Sequence, residues 1–271
     1  AGFSFNETLR ICKNLNSQGF ALTLDILGEH TKTEKESEKI TDFYKQLLTT
    51  INDEKIDANI SIKPSHIGHD LGLSLFKKNL TILIERAQEL SNFIRIDMES
   101  SNLTDDTISV YKNLSKKYSN FGIVFQSYLL RTQDDIKSLN KSRLNFRLCK
   151  GIYKEPESIA YQTTNSINQN YLTILDYAIS NNIYIGIATH DEYLLKESYK
   201  IIKKYNADPQ NFEFQGLYGV PLSNWYKRNF KNGYKVRIYV PFGDNWYDYS
   251  LRRIKENPSI AKYVIKNLFK K

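Results

Sequence analysis

Cysteine is scarce in this chain. Only Cys12 and Cys149 occur in 271 residues, far apart and in no C-x-x-C pair. A disulfide-dense scaffold and a dithiol redox centre are excluded on that ground. Sparse cysteine without a leader-like N-terminal stretch points to a reducing, cytoplasmic setting. No apolar run approaches the length of a membrane-spanning helix. No G-x-G-x-x-G opens a helix, so no Rossmann dinucleotide site is visible. No H-E-x-x-H and no Cys/His cluster suggests a metal. No recognisable nucleic-acid motif is present either.

What is present has the scale of one large domain spanning residues 1–271. A chain this long buries roughly 70–75% of its unfolded surface and needs no staples. The formal net charge is +8, and basic residues are dense late in the chain, at Lys227, Arg228, Lys231, Lys235 and Arg237, then Lys262, Lys266, Lys270 and Lys271. Two readings fit that excess: a Lys-rich solvated surface, or attraction to an anionic surface.

Eight short β-branched or aromatic runs alternate with segments of helical period. They are Phe20–Leu24, Asn59–Ile62, Phe93–Asp97, Gly122–Gln126, Asn145–Cys149, Ile183–Ala188, Phe212–Gln215 and Lys235–Tyr239. Their starts lie 23 to 39 residues apart, the spacing of βα units. Right-handed crossovers then give a parallel sheet, and eight units suggest closure into a (β/α)8 TIM-type barrel. Between the second and third runs, Leu73, Phe76, Leu80, Leu83, Ile84, Ala87 and Leu90 form a helical core stripe. Similar stripes run from Ile40, Ile167 and Leu194. Pro241-Phe242-Gly243 reads as a turn, with Asp244 a candidate helix cap and Asn257-Pro258 a stop. An extra amphipathic helix follows, to about Phe269.

In such a barrel, chemistry sits at the C-terminal ends of the strands. Seven of the eight runs end in a polar or ionisable residue: Lys63, Asp97-Met98-Glu99, Gln126, Lys150-Gly151, Thr189-His190-Asp191, Gln215 and Tyr239. Plainer roles fit several of them: a solvated lysine at 63, an Arg-paired carboxylate at 97, a rim histidine at 190. Alternation sends Arg147 and Cys149 to one face of their strand and Phe146 and Leu148 to the other. An arginine inside a barrel needs an acidic or electron-rich partner. Cys149 fits small core filling better than a nucleophile. After the eighth run, Tyr249, Arg252, Arg253 and Glu256 share one helical face. Two guanidiniums there suit a bidentate grip on a carboxylate, with Glu256 holding them; an i, i+4 salt-bridge lattice is the alternative.

At these same segments the chain resembles the proline dehydrogenase family. The matches are Leu22-Thr-Leu-Asp-Ile-Leu-Gly-Glu29, Ile62-Lys-Pro-Ser65, Arg95-Ile-Asp-Met-Glu99, Phe125-Gln-Ser-Tyr128 and Arg147-Leu-Cys-Lys-Gly-Ile-Tyr153. Ala188-Thr-His190, Phe212-Glu-Phe-Gln-Gly-Leu-Tyr-Gly219, Tyr239-Val-Pro-Phe-Gly243 and Tyr249-x-x-Arg-Arg-x-x-Glu256 complete the set. Each motif alone is weak, but in this order they cover nearly the whole chain.

The resemblance implies a flavoenzyme with noncovalent FAD across the strand ends. It would oxidise L-proline to Δ1-pyrroline-5-carboxylate and pass electrons to a membrane quinone. It further implies that Lys63, Arg252 and Arg253 bind the substrate carboxylate, steadied by Glu256. Tyr239 and Tyr249 would pack on the ring, and Asp97 would lie beside Lys63 and Tyr239. Arg147 would sit near the reactive flavin nitrogen. Met98, Gln126, Lys150, Gly151, Ile152, Thr189, His190 and Gln215 would line the cofactor. Tyr239 is the residue expected for proline rather than hydroxyproline. Lys154 and the segment Ile167-Asn-Gln-Asn170 depart from the usual family residues near the nucleotide part of FAD. No aldehyde dehydrogenase or DNA-binding domain is visible, so a monofunctional enzyme is expected, with peripheral membrane contact through the basic C-terminal helix. Two other classes remain: a Schiff-base aldolase using Lys63 or Lys150, and a noncatalytic basic binding module.

Overall fold

The computed structural model describes residues 5–220 and 225–243. Eight parallel strands close into a barrel in sequence order, β1 to β8, with β8 pairing back onto β1. The strands are β1 (Ala21–Ile26), β2 (Ala58–Ile62), β3 (Ile94–Ile96), β4 (Phe121–Gln126), β5 (Asn145–Cys149), β6 (Tyr184–Ala188), β7 (Phe212–Leu217) and β8 (Val236–Phe242). All eight runs expected from the sequence are strands. A helix α1 (Phe5–Ser17) precedes β1, and the crossovers carry α2 (Glu34–Asp53), α3 (Leu73–Glu89), α4 (Thr104–Leu114), α5 (Thr132–Lys137), α6 (Thr164–Ser180), α7 (Glu192–Lys204) and α8 (Trp225–Lys231). The extra C-terminal helix, the Asp244 cap and the Asn257-Pro258 stop lie outside the described residues.

The helices start and stop for local reasons. Thr33 and Thr163 accept hydrogen bonds from the first turns of α2 and α6, and Asp191 caps α7 through the Tyr193 and Leu194 N–H groups. Four helices end alike. Lys55, Ser91, Asn182 and Asn206 all take positive φ after α2, α3, α6 and α7. The following N–H then reaches back a full turn, as from Ile56 to Ile51 O and from Ile183 to Ala178 O. This left-handed cap satisfies orphan carbonyls and aims the chain into the next strand.

Alternation along the strands divides the barrel wall. Outward residues such as Leu22, Leu24, Ile60, Ile94, Phe146, Ile185, Phe214 and Ile238 are buried against the helices. On α3, Phe76, Leu80, Leu83, Ile84 and Ala87 meet them, each fully buried. Each large side chain there contributes roughly 1.5–3 kcal/mol over leaving it exposed. The apolar core is thus a ring between sheet and helices. The inward set is polar: Thr23, Asp25, Asn59, Ser61, Arg95, Arg147, Glu213, Gln215 and Arg237 are all buried.

Most strand boundaries shift by one to three residues from the expected runs, and two of the shifts bear on the site. Pro241 and Phe242 belong to β8, not to a turn; the turn begins at Gly243, with φ 124°. Lys235 O and Tyr239 O face β7, so by parity Pro241 faces that side too, beyond the end of β7 at Leu217. Its missing N–H therefore interrupts no ladder. The first strand also runs two residues past Leu24, through Asp25 and Ile26, and this matters for the site.

Candidate active site

The strand C-termini bring four ionisable side chains and a tyrosine into one network. Asp97, just past β3, is its centre. Its Oδ1 accepts from Arg147 Nη1 at 2.8 Å and from Ser61 Oγ at 2.6 Å. Its Oδ2 accepts from the Tyr239 hydroxyl at 2.9 Å and lies 3.7 Å from Lys63 Nζ. The Arg147 guanidinium also stands over the Tyr239 ring, 5.0 Å from its centroid. The acidic partner that Arg147 required is therefore Asp97.

Burial acts against the Asp97 carboxylate, but Arg147 and then Lys63 outweigh it and hold its pKa below the usual range. Burial also opposes the Lys63 charge, yet Asp25 and Asp97 win and push its pKa above that of a free lysine. Both groups are held charged. Gln215 adds a neutral member: its Oε1 accepts from Arg147 Nε at 2.6 Å and its Nε2 donates to Glu213 at 2.6 Å. Space for that amide exists because residue 186 is glycine; a Cβ there would stand 2.4 Å from Gln215 Nε2.

Around the centre lie the residues expected along a cofactor. Gln126 donates to Met98 O at 3.2 Å, and both side chains are buried. Lys150 is ion-paired to Asp191 at 2.6 Å, and Thr189 Oγ1 accepts from the Asp191 N–H. Asn168, within the departing segment 167–170, also reaches Asp191, at 3.4 Å. Gly151 has φ 108°, and a Cβ there would lie 2.2 Å from the Tyr128 ring, so only glycine fits. Ile152 is exposed at 43%, away from the buried network. His190 Nε2 accepts from the Leu217 N–H at 2.9 Å, which leaves Nδ1 as the protonated nitrogen. Burial lowers its pKa to about 4, so the ring is neutral near pH 7. Cys149 is half-buried with Sγ toward Phe125 O, as suits a filling residue.

Among the buried polar atoms of the described residues that have no hydrogen-bond partner, two belong to the expected cofactor-lining set: Gln126 Oε1 and His190 Nδ1. One accepts and the other donates. Unsatisfied buried pairs of that kind are costly unless a ligand completes them. They fit a planar heterocycle carrying both donors and acceptors, which a flavin ring is. Tyr249, Arg252, Arg253 and Glu256 lie outside the described residues.

Sequence reasoning misses two close members of the network. Asp25, fully buried, accepts from Lys63 at 2.7 Å, a full ångström closer than Asp97. Ser61 donates to Asp97. A signal for both exists: Thr23 and Lys63 fix the parity of their strands, and two residues along lie Asp25 and Ser61. Behind the site, Glu99 is clamped by the N–H and hydroxyl of Ser65, at 2.8 and 2.6 Å.

Comparison with known proteins agrees with this geometry. A family model described as proline dehydrogenase matches residues 8–266. Proline dehydrogenase 2 of Bacillus subtilis (strain 168) is 33% identical over 270 residues, covering 100% of this chain and 89% of that protein. Proline dehydrogenase of Deinococcus radiodurans is 32% identical over 279 residues, again covering all of this chain and 88% of its relative. Among solved structures, proline utilization A from Bdellovibrio bacteriovorus, inactivated by N-propargylglycine, superposes with a TM-score of 0.86 at 26% identity. That match covers 94% of this chain but 32% of the longer protein, so it bears on the barrel alone. A full-length family match, two relatives above 30% identity and a common barrel lead to one conclusion: this chain belongs to the proline dehydrogenase family.

Proposed function

We propose that this chain oxidises L-proline to Δ1-pyrroline-5-carboxylate, the first step of proline catabolism, using FAD bound noncovalently at the strand C-termini of a single catalytic domain. Proline oxidation follows from family membership; the identity of the flavin and the residue roles are this proposal's own. The observation that carries it is the Asp97-centred network, in which Lys63, Arg147 and Tyr239 converge at the barrel mouth.

The flavin, when bound, supplies the hydride acceptor. The chain's own task is positioning. Lys63 offers a fixed ammonium to the substrate carboxylate, and Arg252 and Arg253 would close over it, with Glu256 holding the pair. Tyr239 and Tyr249 supply the ring surfaces against which a pyrrolidine packs. Hydride leaves the carbon beside nitrogen, so the amine must be neutral at that moment. No strong base is then required of the protein. Arg147 carries the positive charge that would meet the negative charge developing on the reduced ring. Gln126, Met98, Lys150, Gly151, Ile152, Thr189, His190 and Gln215 would hold the cofactor.

The network also argues against an aldolase. A Schiff-base lysine must shed its proton, whereas Lys63 is held protonated between two carboxylates and Lys150 is ion-paired to Asp191. We further propose a quinone as electron acceptor and peripheral contact with the inner face of a membrane through Lys262, Lys266, Lys270 and Lys271. No helix among the described residues is long and apolar enough to cross a membrane.

The test is an absorption spectrum of the protein with FAD, before and after L-proline under anaerobic conditions. Flavin bands that bleach with proline are expected. Bands that persist would remove proline as substrate, and failure to bind flavin would remove the cofactor assignment.

A further inference from the structure

We propose that Asp25 is a positioning residue for the substrate pocket, holding the Lys63 ammonium away from Asp97 so that Asp97 stays committed to Arg147 and Tyr239. This deepens the reading given above and rests on Lys63 receiving the substrate carboxylate.

The geometry behind it is a division of two cations between two carboxylates. Lys63 Nζ has a choice of partners and takes Asp25 Oδ2, at 2.7 Å, over Asp97 Oδ2, at 3.7 Å. The oxygen it declines is the one that accepts the Tyr239 hydroxyl at 2.9 Å. The other Asp97 oxygen is occupied by Arg147 and Ser61. Carboxylates and cations therefore alternate along the chain Asp25, Lys63, Asp97, Arg147; burial raises the Asp25 pKa, and Lys63 is the main group that opposes the rise.

Without the charge on Asp25, the nearest anion for Lys63 is that second Asp97 oxygen. An ammonium drawn there would compete with the Tyr239 hydroxyl and turn from the mouth toward the strand wall. Both the carboxylate contact and the ring-packing tyrosine would be displaced, while Arg147 would keep its own oxygen. Asp25 itself has no exposed surface, and its Oδ1 has no hydrogen-bond partner. A buried carboxylate with one oxygen unused is costly to keep, which is difficult to explain if it serves stability alone.

The experiment is a double-mutant cycle on the FAD-loaded enzyme, reading KM and kcat for L-proline. Asp25→Asn keeps the shape and removes the charge. It should raise KM about tenfold, equivalent to one decade of substrate affinity, with kcat changed less than about threefold. Lys63→Met should raise KM further. The double variant should match Lys63→Met within about twofold, because without the ammonium Asp25 has nothing to position. Multiplying effects, or an Asp25→Asn KM within twofold of wild type, would overturn the inference. If Asp25→Asn does not fold, the double variant, which removes both charges, carries the same comparison against Lys63→Met. If Lys63→Met leaves KM unchanged, the carboxylate reading of Lys63 fails, and the inference falls with it for that separate reason.

Discussion

At the strand N-termini, Arg95 donates to the main-chain carbonyls of Ile123 and Asn145 and to the Asn145 side chain, and Arg237 donates to Leu22 O and to Glu213. At the strand C-termini, Arg147 donates to Asp97, Gln215 and Ser61, and Lys63 to Asp25, all of them side chains. Both ends of the barrel interior hold buried, ion-paired cations, so burial of charge does not distinguish them. The partners do. A main-chain carbonyl is fixed by the sheet, and a guanidinium bonded to it staples one strand to its neighbour. Gly122 shows how tightly: a Cβ there would lie 2.3 Å from both Arg95 Nη1 and Asn145 O. A side-chain partner can be re-sorted when a ligand arrives. The lower end is built to stay closed and the upper end to be rearranged.

The largest test of that contrast is a pair of matched substitutions. Arg147→Met should lower kcat about 100- to 1000-fold, the usual effect of deleting one donor that meets developing charge. Arg237→Met should leave KM and kcat within about twofold but cost about 3–5 kcal/mol in urea unfolding, because Glu213 would stay buried without its main partner. Equal losses of activity in the two variants, with stability intact, would erase the distinction between the ends.

Acid separates the ends next. Burial lowers the His66 pKa from 6.5 to about 4, so the unfolded chain binds a proton that the folded chain refuses. Stability is then full above pH 6.5 and falls as pH drops toward 4, by roughly 3 kcal/mol for this 5%-exposed group. His190 shifts the same way and adds less, being more exposed. Both belong to the upper loops. For Glu213, burial is outweighed by Arg237, which brings its pKa from 4.5 to about 2. Its contribution at the lower end is therefore present above pH 4.5 and lost only between there and pH 2. Urea midpoints against pH should fall in two stages, and His66→Gln should remove part of the first. A single transition below pH 4.5 would show that the histidines are not held neutral.

Much of this arrangement is legible in the amino-acid sequence alone. The eight strands stand out because each apolar run recurs at βα spacing, and the inward direction of Arg147 follows from alternation with Phe146 and Leu148. The need for an acidic partner is also clear, since a buried guanidinium cannot stand alone. Which carboxylate serves is not, because Asp97 reaches Arg147 across 50 positions in sequence and the pairing depends on barrel stagger. Asp25 escapes for a local reason: the apolar run stops at Leu24, one residue too early to expose the polar end of β1. Pro241 misleads in the opposite sense, since proline ends most strands but not one whose neighbour has already finished. The left-handed caps at Lys55 and Ser91 carry no glycine to announce them; tertiary packing, not local preference, sets those turns.

The smallest expected effect falls on Gln215, which among the described residues joins the two networks, with Arg147 on its oxygen and Glu213 on its nitrogen. Gly186→Ala would place a methyl 2.4 Å from that nitrogen and 3.0 Å from Gln215 Cδ. The amide is 4% exposed and bonded at both atoms, so it cannot swing aside without giving up a partner. Overpacking of this size should cost about 1–2 kcal/mol. Arg147 would keep Asp97 while losing a neutral acceptor, so kcat should fall by less than about tenfold, well short of deleting the guanidinium. Adding Gln215→Ala removes the obstruction together with the bridge. If the two ends communicate through this amide, the double variant should recover stability toward wild type and yet keep the reduced kcat. Recovery of both would mean that the methyl acted by crowding alone, and that the upper network needs nothing from the lower one.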